Sequence, residues 1–157
     1  MGKIGIDVNL MVGGEAGQGC ERRAITLEAK ILNQYRTVAI VGASPDPERA
    51  SYKVAGYLTE HGYEVIPVNP NVQEILGKTS YPDLSSIPEK VEVVDIFRKS
   101  GEVMPIVEEA IKIGAKVVWM QEGVINEKAA AKARDAGLLV VMDKCMLKEH
   151  QRLTQND

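Results

Sequence analysis

Cysteine, histidine and large aromatic residues are scarce in this 157-residue chain. There are two cysteines, Cys20 and Cys145, two histidines, His61 and His150, one phenylalanine and one tryptophan. Two cysteines far apart in sequence form no disulfide framework and fit a reducing, cytoplasmic setting with free thiols. Two scattered histidines are too few to hold a metal. Long apolar runs are also missing. None approaches the roughly 20 residues that a membrane span needs, and residues 1–19 lack the basic start, apolar centre and cleavage site of a signal peptide. Nor does one sign of charge dominate. The net charge is −3 and there is no long basic run, so neither nucleic acid nor a membrane is indicated as a partner. No G-x-x-x-x-G-K-[ST] loop occurs, which excludes a P-loop.

What the chain does contain is organised around Thr37–Lys53. The apolar run Val38–Val41 stops at Gly42, a loop with Pro45 and Pro47 follows, and a helical pattern starts near Ser51. A buried strand, a glycine turn and a helix start are the parts from which open α/β sheets build phosphate sites. Ser44, Arg49, Ser51 and Lys53 add hydroxyls and cations, so the loop reads as a cradle for a nucleotide diphosphate. The plainer alternative is a tight strand-to-helix turn carrying solvated charges.

The length suits one domain. Residues 1–20 do not fit the pattern of the rest and are expected to be an N-terminal extension, or alternatively an edge strand or dimer contact; residues 21–157 form the domain. Glu21–Tyr35 reads as a helix across the sheet edge. From there strands are expected at 38–41, 64–68, 91–97, 116–120 and 138–142. Helices are expected at 51–61, 101–113 and 126–136, with Asn126 as an N-cap, and a short polar helix at 147–154. Gly62, Gly114 and Gly137 fit helix stops. Residues 71–90, with Gly77, Pro82 and Pro88, read as loop with at most short helical turns. Apolar strands alternating with helices predict an α/β fold, a doubly wound, mainly parallel five-stranded sheet. Its strand tips should converge on one crevice: 42–44, 69–70, 97–99, 121–123 and 143–146.

A dinucleotide fingerprint requires G-x-G-x-x-G after the first strand and an acid after the second. Here a single Gly42 precedes two prolines and the second strand ends in neutral Asn69. Both departures count against NAD, which stays as an alternative in the form of an NAD-binding regulator.

Six segments in order carry a more specific signal: Val41-Gly-Ala-Ser44, Arg49-Ala-Ser-Tyr52, Ile66-Pro-Val-Asn-Pro70, Val94-Asp-Ile-Phe-Arg98, Trp119-Met-Gln-Glu-Gly123 and Lys144-Cys-Met146. Through them residues 35–153 resemble the small stand-alone CoA-binding proteins, whose Rossmann-like domain also opens the α subunits of succinyl-CoA synthetases. The resemblance implies coenzyme A or an acyl-CoA as ligand. It places Gly42, Ala43 and Ser44 along the pyrophosphate, helped by Arg49, Ser51 and Lys53. Val68, Asn69 and Pro70 would bracket adenine and ribose, and Lys78 would meet the 3′-phosphate. Phe97 and Arg98 would contact the nucleotide or the start of the pantetheine arm, with Gln121, Glu122 and Gly123 flanking that arm. Each has a plainer reading: Phe97 and Trp119 as core, Arg98 and Lys99 as solvated charges, Tyr52 as packing, His61 as a partner for carbonyls at a helix end.

No complete catalytic set is visible. The synthetases phosphorylate a histidine in a further domain, and neither histidine here matches it. Cys145, after the last strand, is the one thiol placed to meet the end of a CoA arm, either as a redox partner or as a buried inert side chain. The function expected is therefore a CoA carrier, sensor or accessory module. The alternative is an enzyme acting with CoA, through Cys145 or as an acyl-CoA synthetase subunit in trans. The partners that fit are an acyl-CoA enzyme or a second copy, since monomer and homodimer are both compatible.

Overall fold

The structure is a computed structural model that describes residues 25–155. In chain order it runs α1 (Leu27–Gln34), β1 (Thr37–Val41), α2 (Ala50–Glu60), β2 (Glu64–Val68), β3 (Glu74–Ile75), β4 (Lys78–Thr79), β5 (Val93–Ile96), α3 (Val103–Lys112), β6 (Val117–Met120), α4 (Glu127–Asp135), β7 (Leu139–Val141) and α5 (Met146–Gln155). Five strands pair in the order β2-β1-β5-β6-β7, every neighbour parallel. The doubly wound parallel sheet expected from the apolar runs is what forms.

Both faces are covered. Val38 and Ile40 of β1 pack beneath α1, α2 and α5 with Ile31, Val54, Leu58, Trp119 and Met146. Ala39 and Val41 point the other way, to α3 and α4, among Val94, Val103, Val107, Ala129 and Ala133. This alternation of two apolar sets is why the strands read as continuous hydrophobic runs. Small alanines on the inner side of α4 bring that helix close to the sheet. Asn126 caps α4 as expected, its Oδ1 accepting from the Ala129 N–H at 2.9 Å.

Several expectations need correction. The first helix is Leu27–Gln34, capped by Thr26, whose Oγ1 accepts from the Ala29 N–H at 3.1 Å. Its Ile31 and Leu32 are buried in the cluster under α2 and α5, so it covers a face of the sheet, not an edge. Residues 71–90 contain a small antiparallel hairpin, β3–β4, and a 3-10 turn at Leu84–Ser86. A 3-10 turn, Ser100–Glu102, precedes α3, which starts two residues later than expected. The last helix begins at Met146 and buries Met146 and His150, so it is a packed element. The expected extension at 1–20, and Cys20 with it, lies outside the described residues.

Candidate functional site

β1 and β5 are neighbours, yet the chain leaves β1 for α2 on one face and β5 for α3 on the other. This is the topological switch point, where the carboxyl ends of adjacent strands part and leave a crevice. Gly42 stands there. Its φ is +89°, and a Cβ on it would strike the carbonyl oxygen of Phe97 and approach Arg98 Cδ to 3.0 Å. Glycine is needed because the backbone leaving β5 abuts it. The Gly42 and Ala43 N–H groups both donate to the Val68 carbonyl, at 3.1 and 3.3 Å. Those two amides, expected to line a pyrophosphate, are committed to joining the ends of β1 and β2.

On the α3 side of this point lies a cavity of about 490 Å³, lined by Gly42, Val68, Pro70, Leu84, Arg98 and Glu102, among others. Val68 and Pro70 give it apolar walls. Arg98 is held by Glu102, with Nη2 to Oε1 at 2.9 Å and Nε to Oε1 at 3.0 Å. Asn69 does not reach in freely: its Nδ2 donates to the Ala43 carbonyl at 2.8 Å and its Oδ1 accepts from the Asn71 N–H at 2.8 Å.

On the α2 and α5 side a second cavity, about 360 Å³, is lined by Ala50, Lys53, Val54, Phe97, Gln121, Glu122, Cys145, Leu147 and Lys148. Gln121 is buried, and its Oε1 accepts from the Met146 N–H at 3.1 Å, tying β6 to the start of α5. Glu122 pairs with Lys148 at 3.0 Å. The Gly123 N–H donates to Asp143 Oδ1 at 2.7 Å, fastening the loops after β6 and β7 to each other. The strand tips thus share one edge of the sheet but divide between two cavities, one on each face, instead of closing on a single groove.

The loop between β1 and α2 overlooks the rim. Ser44 Oγ accepts from the Asp46 N–H at 3.1 Å, and Arg49 is exposed at the N-cap of α2 without a side-chain cap bond. Ser51 is buried in the first turn of that helix. Lys78 lies apart, on β4 in a cavity of about 130 Å³ against Glu64, Val65 and Glu89, beside the first half of β2. The structure does not bring it to the strand tips. Trp119 is wholly buried and donates from Nε1 to the Lys144 carbonyl at 2.8 Å, so its core reading holds. His61 Nδ1 lies 2.7 Å from the Tyr57 carbonyl, the helix-end role expected of it.

Two features were not anticipated. Asp95, in register with Ile40 and Trp119, is fully buried with both carboxyl oxygens unpartnered among the described residues. Burial pushes its carboxyl well above the usual range. Its place in an apolar run, Val93–Ile96, was the available signal. His150, on α5, packs edge-on against His61, Tyr57 and Tyr63.

The family model described as CoA binding domain matches residues 36–151. The chain is 36% identical over 121 residues to the uncharacterized protein YneT of Bacillus subtilis (strain 168), covering 77% of this chain and 90% of that one. A solved structure of a hypothetical protein from Pyrococcus horikoshii OT3 is similar at a TM-score of 0.81 and 47% identity, over 90% of this chain and 99% of that one. The α subunit of acetate–CoA ligase (ADP-forming) II from Pyrococcus furiosus is 29% identical over 122 residues. That alignment takes in 71% of this chain and only 27% of the subunit. On the family match and the sheet that bears it, this chain belongs to the CoA-binding domain family.

Proposed function

We propose that this chain binds coenzyme A or an acyl-CoA across the carboxyl ends of its sheet, as a carrier, sensor or accessory module of acyl-CoA metabolism. The observation that carries this reading is the pair of cavities that flank the switch point, one on each face of the sheet. The α3-side cavity has apolar walls, Val68 and Pro70, suited to an adenosine end. The α2-side cavity is richer in apolar side chains, with Val54, Phe97 and Leu147, and suits a pantetheine arm. Beside the α2-side cavity, which Ala50 and Lys53 line, Ser44 and the first turn of α2 with Arg49 and Ser51 would offer a pyrophosphate helix N–H groups, hydroxyls and cations. Lys78 has no part in this path. An acyl-CoA enzyme as partner is suggested by the ligase relatives, and a second copy is equally compatible.

Calorimetry against coenzyme A, acetyl-CoA, NAD and ADP tests the assignment. Coenzyme A should bind most tightly, and Lys53→Ala should weaken it by about 1.5–3 kcal/mol if one charged hydrogen bond is lost. Preference for NAD would overturn the coenzyme assignment and favour a dinucleotide regulator.

A second reading has one observation in its favour: half-buried Cys145 lines the α2-side cavity. There its thiolate can attack a CoA disulfide, forming a Cys145–CoA disulfide and releasing the other CoA as thiolate. Intact-mass measurement after incubation with CoA disulfide, with Cys145→Ala as control, tests this. An unmodified protein would dismiss it.

A further inference from the structure

The α3-side cavity is unusual for a site meant to receive a phosphorylated nucleoside. Among the described residues its wall holds one cation, Arg98, and three carboxylates, Asp83, Glu102 and Glu109. Two of the three are engaged by the backbone: Asp83 Oδ1 accepts from the Ser86 N–H at 2.9 Å, and Glu109 Oε2 accepts from the Ser85 N–H at 3.0 Å. The third, Glu102, holds Arg98. In dinucleotide-binding α/β sheets the residues after the second strand read the 2′ position of the ribose: an acid takes a free hydroxyl and a cation takes a phosphate. Here residues 69–73 are Asn, Pro, Asn, Val and Gln, with no charge among them. The next cation along the chain, Lys78, is turned to a different cavity.

We infer that this crevice does not read the phosphate on the terminal ribose of its ligand, and that Glu102 is the specificity-determining residue that cancels Arg98 there. The inference rests on the coenzyme reading above and narrows it: the nucleoside end is recognised by shape and apolar contact, and coenzyme A lacking its 3′-phosphate is held as well as coenzyme A. A phosphate entering the crevice gains one guanidinium and meets that guanidinium's own carboxylate partner, so attraction and repulsion offset each other. With Glu102 neutral, the same guanidinium becomes available to it.

The test is calorimetry of the full chain with coenzyme A and dephospho-coenzyme A, in the wild type and in Glu102→Gln. The side chain of Glu102 is 46% exposed, so the substitution leaves the core alone, and circular dichroism checks that the fold is kept. In the wild type the two dissociation constants should agree within about threefold, and Glu102→Gln should tighten coenzyme A about fivefold while leaving dephospho-coenzyme A unmoved, the size of one partly screened charge. Two outcomes overturn the inference: wild type favouring coenzyme A tenfold or more, or Glu102→Gln leaving the ratio unchanged. Failure to bind either ligand overturns the coenzyme reading itself and this inference with it, a result distinct from binding both at the wrong ratio.

Discussion

The hydroxyl of Tyr57 lies 2.8 Å from Nδ1 of His150, joining the last turn of α2 to the middle of α5. His61 and Tyr63 complete an aromatic cluster around that ring, and Arg36 stands over the Tyr63 ring at 5.0 Å. Burial, then the nearby His61 and the positive Arg36, hold the His150 imidazole below its ordinary value. The folded state therefore binds fewer protons than the unfolded chain between that lowered value and about 6.5, so stability rises with pH across this window and is lost as pH falls through it. From pH 7 down to pH 5 the urea midpoint of the wild type should fall relative to that of His150→Phe, the difference isolating the imidazole from the opposing Asp95 carboxyl. An equal slope in the variant would remove His150 from the effect.

Gly42 carries a different kind of demand. Alanine there combines a positive φ with contact against the fixed Phe97 carbonyl, neither of which a rotamer change relieves. Gly42→Ala should cost about 2–4 kcal/mol in urea unfolding. Gly56→Ala is the control: nothing lies within 4 Å of the added methyl, and Gly56 is inside α2, so that change should be neutral to stabilising by up to about 1 kcal/mol.

The buried Asp95 carboxyl predicts the opposite pH dependence. Its value is raised by burial, so above the ordinary carboxylate range the folded state holds a proton that the unfolded chain has released. Stability accordingly falls as pH rises from about 4 towards that raised value. Asp95→Asn, similar in shape and uncharged at every pH, should flatten the fall. Urea midpoints at intervals from pH 4 to pH 9 compare the two proteins; parallel curves would mean that Asp95 finds a partner in solution.

The β3–β4 hairpin turns through Leu76 and Gly77, both with positive φ, at 55° and 71°. Two-residue turns of this kind favour Asn-Gly because leucine in the left-handed region is strained. Leu76 is 36% exposed, so asparagine gives up part of the burial that leucine makes, and the left-handed strain it relieves, roughly 1–2 kcal/mol, has to exceed that loss. Leu76→Asn should raise stability by about 0.5–1 kcal/mol, read as an increase in melting temperature.

These cases explain what was legible beforehand. The five main strands and their helices stood out because Val, Ile and Ala fill both faces of a covered sheet, and a fully apolar run has few other structures to enter. The hairpin was hidden by Leu76, which occupies a turn position where Asn or Gly would have announced it. Gly42 was visible as a turn, but its cause was not, since the Phe97 carbonyl arrives from a strand much later in the chain. Likewise Asn69 and Gln121 were expected as ligand contacts from the resemblance to the CoA-binding proteins. Only the packed strand ends reveal that Asn69 binds Ala43 and that Gln121 binds Met146. Lys78 was misplaced for the same reason as the hairpin, because β4 carries it back along β2.

The partition of the strand tips between two faces has a consequence for what can be gripped. Anything reaching both pockets has to bend over the ridge where Gly42 meets the Phe97 backbone, so the scaffold gauges span as well as chemistry. On the proposed reading, a short nucleotide or a short thiol would fill one half and leave the other vacant, and the two together would not compete. A tether joining them would turn two weak footholds into a single firm one.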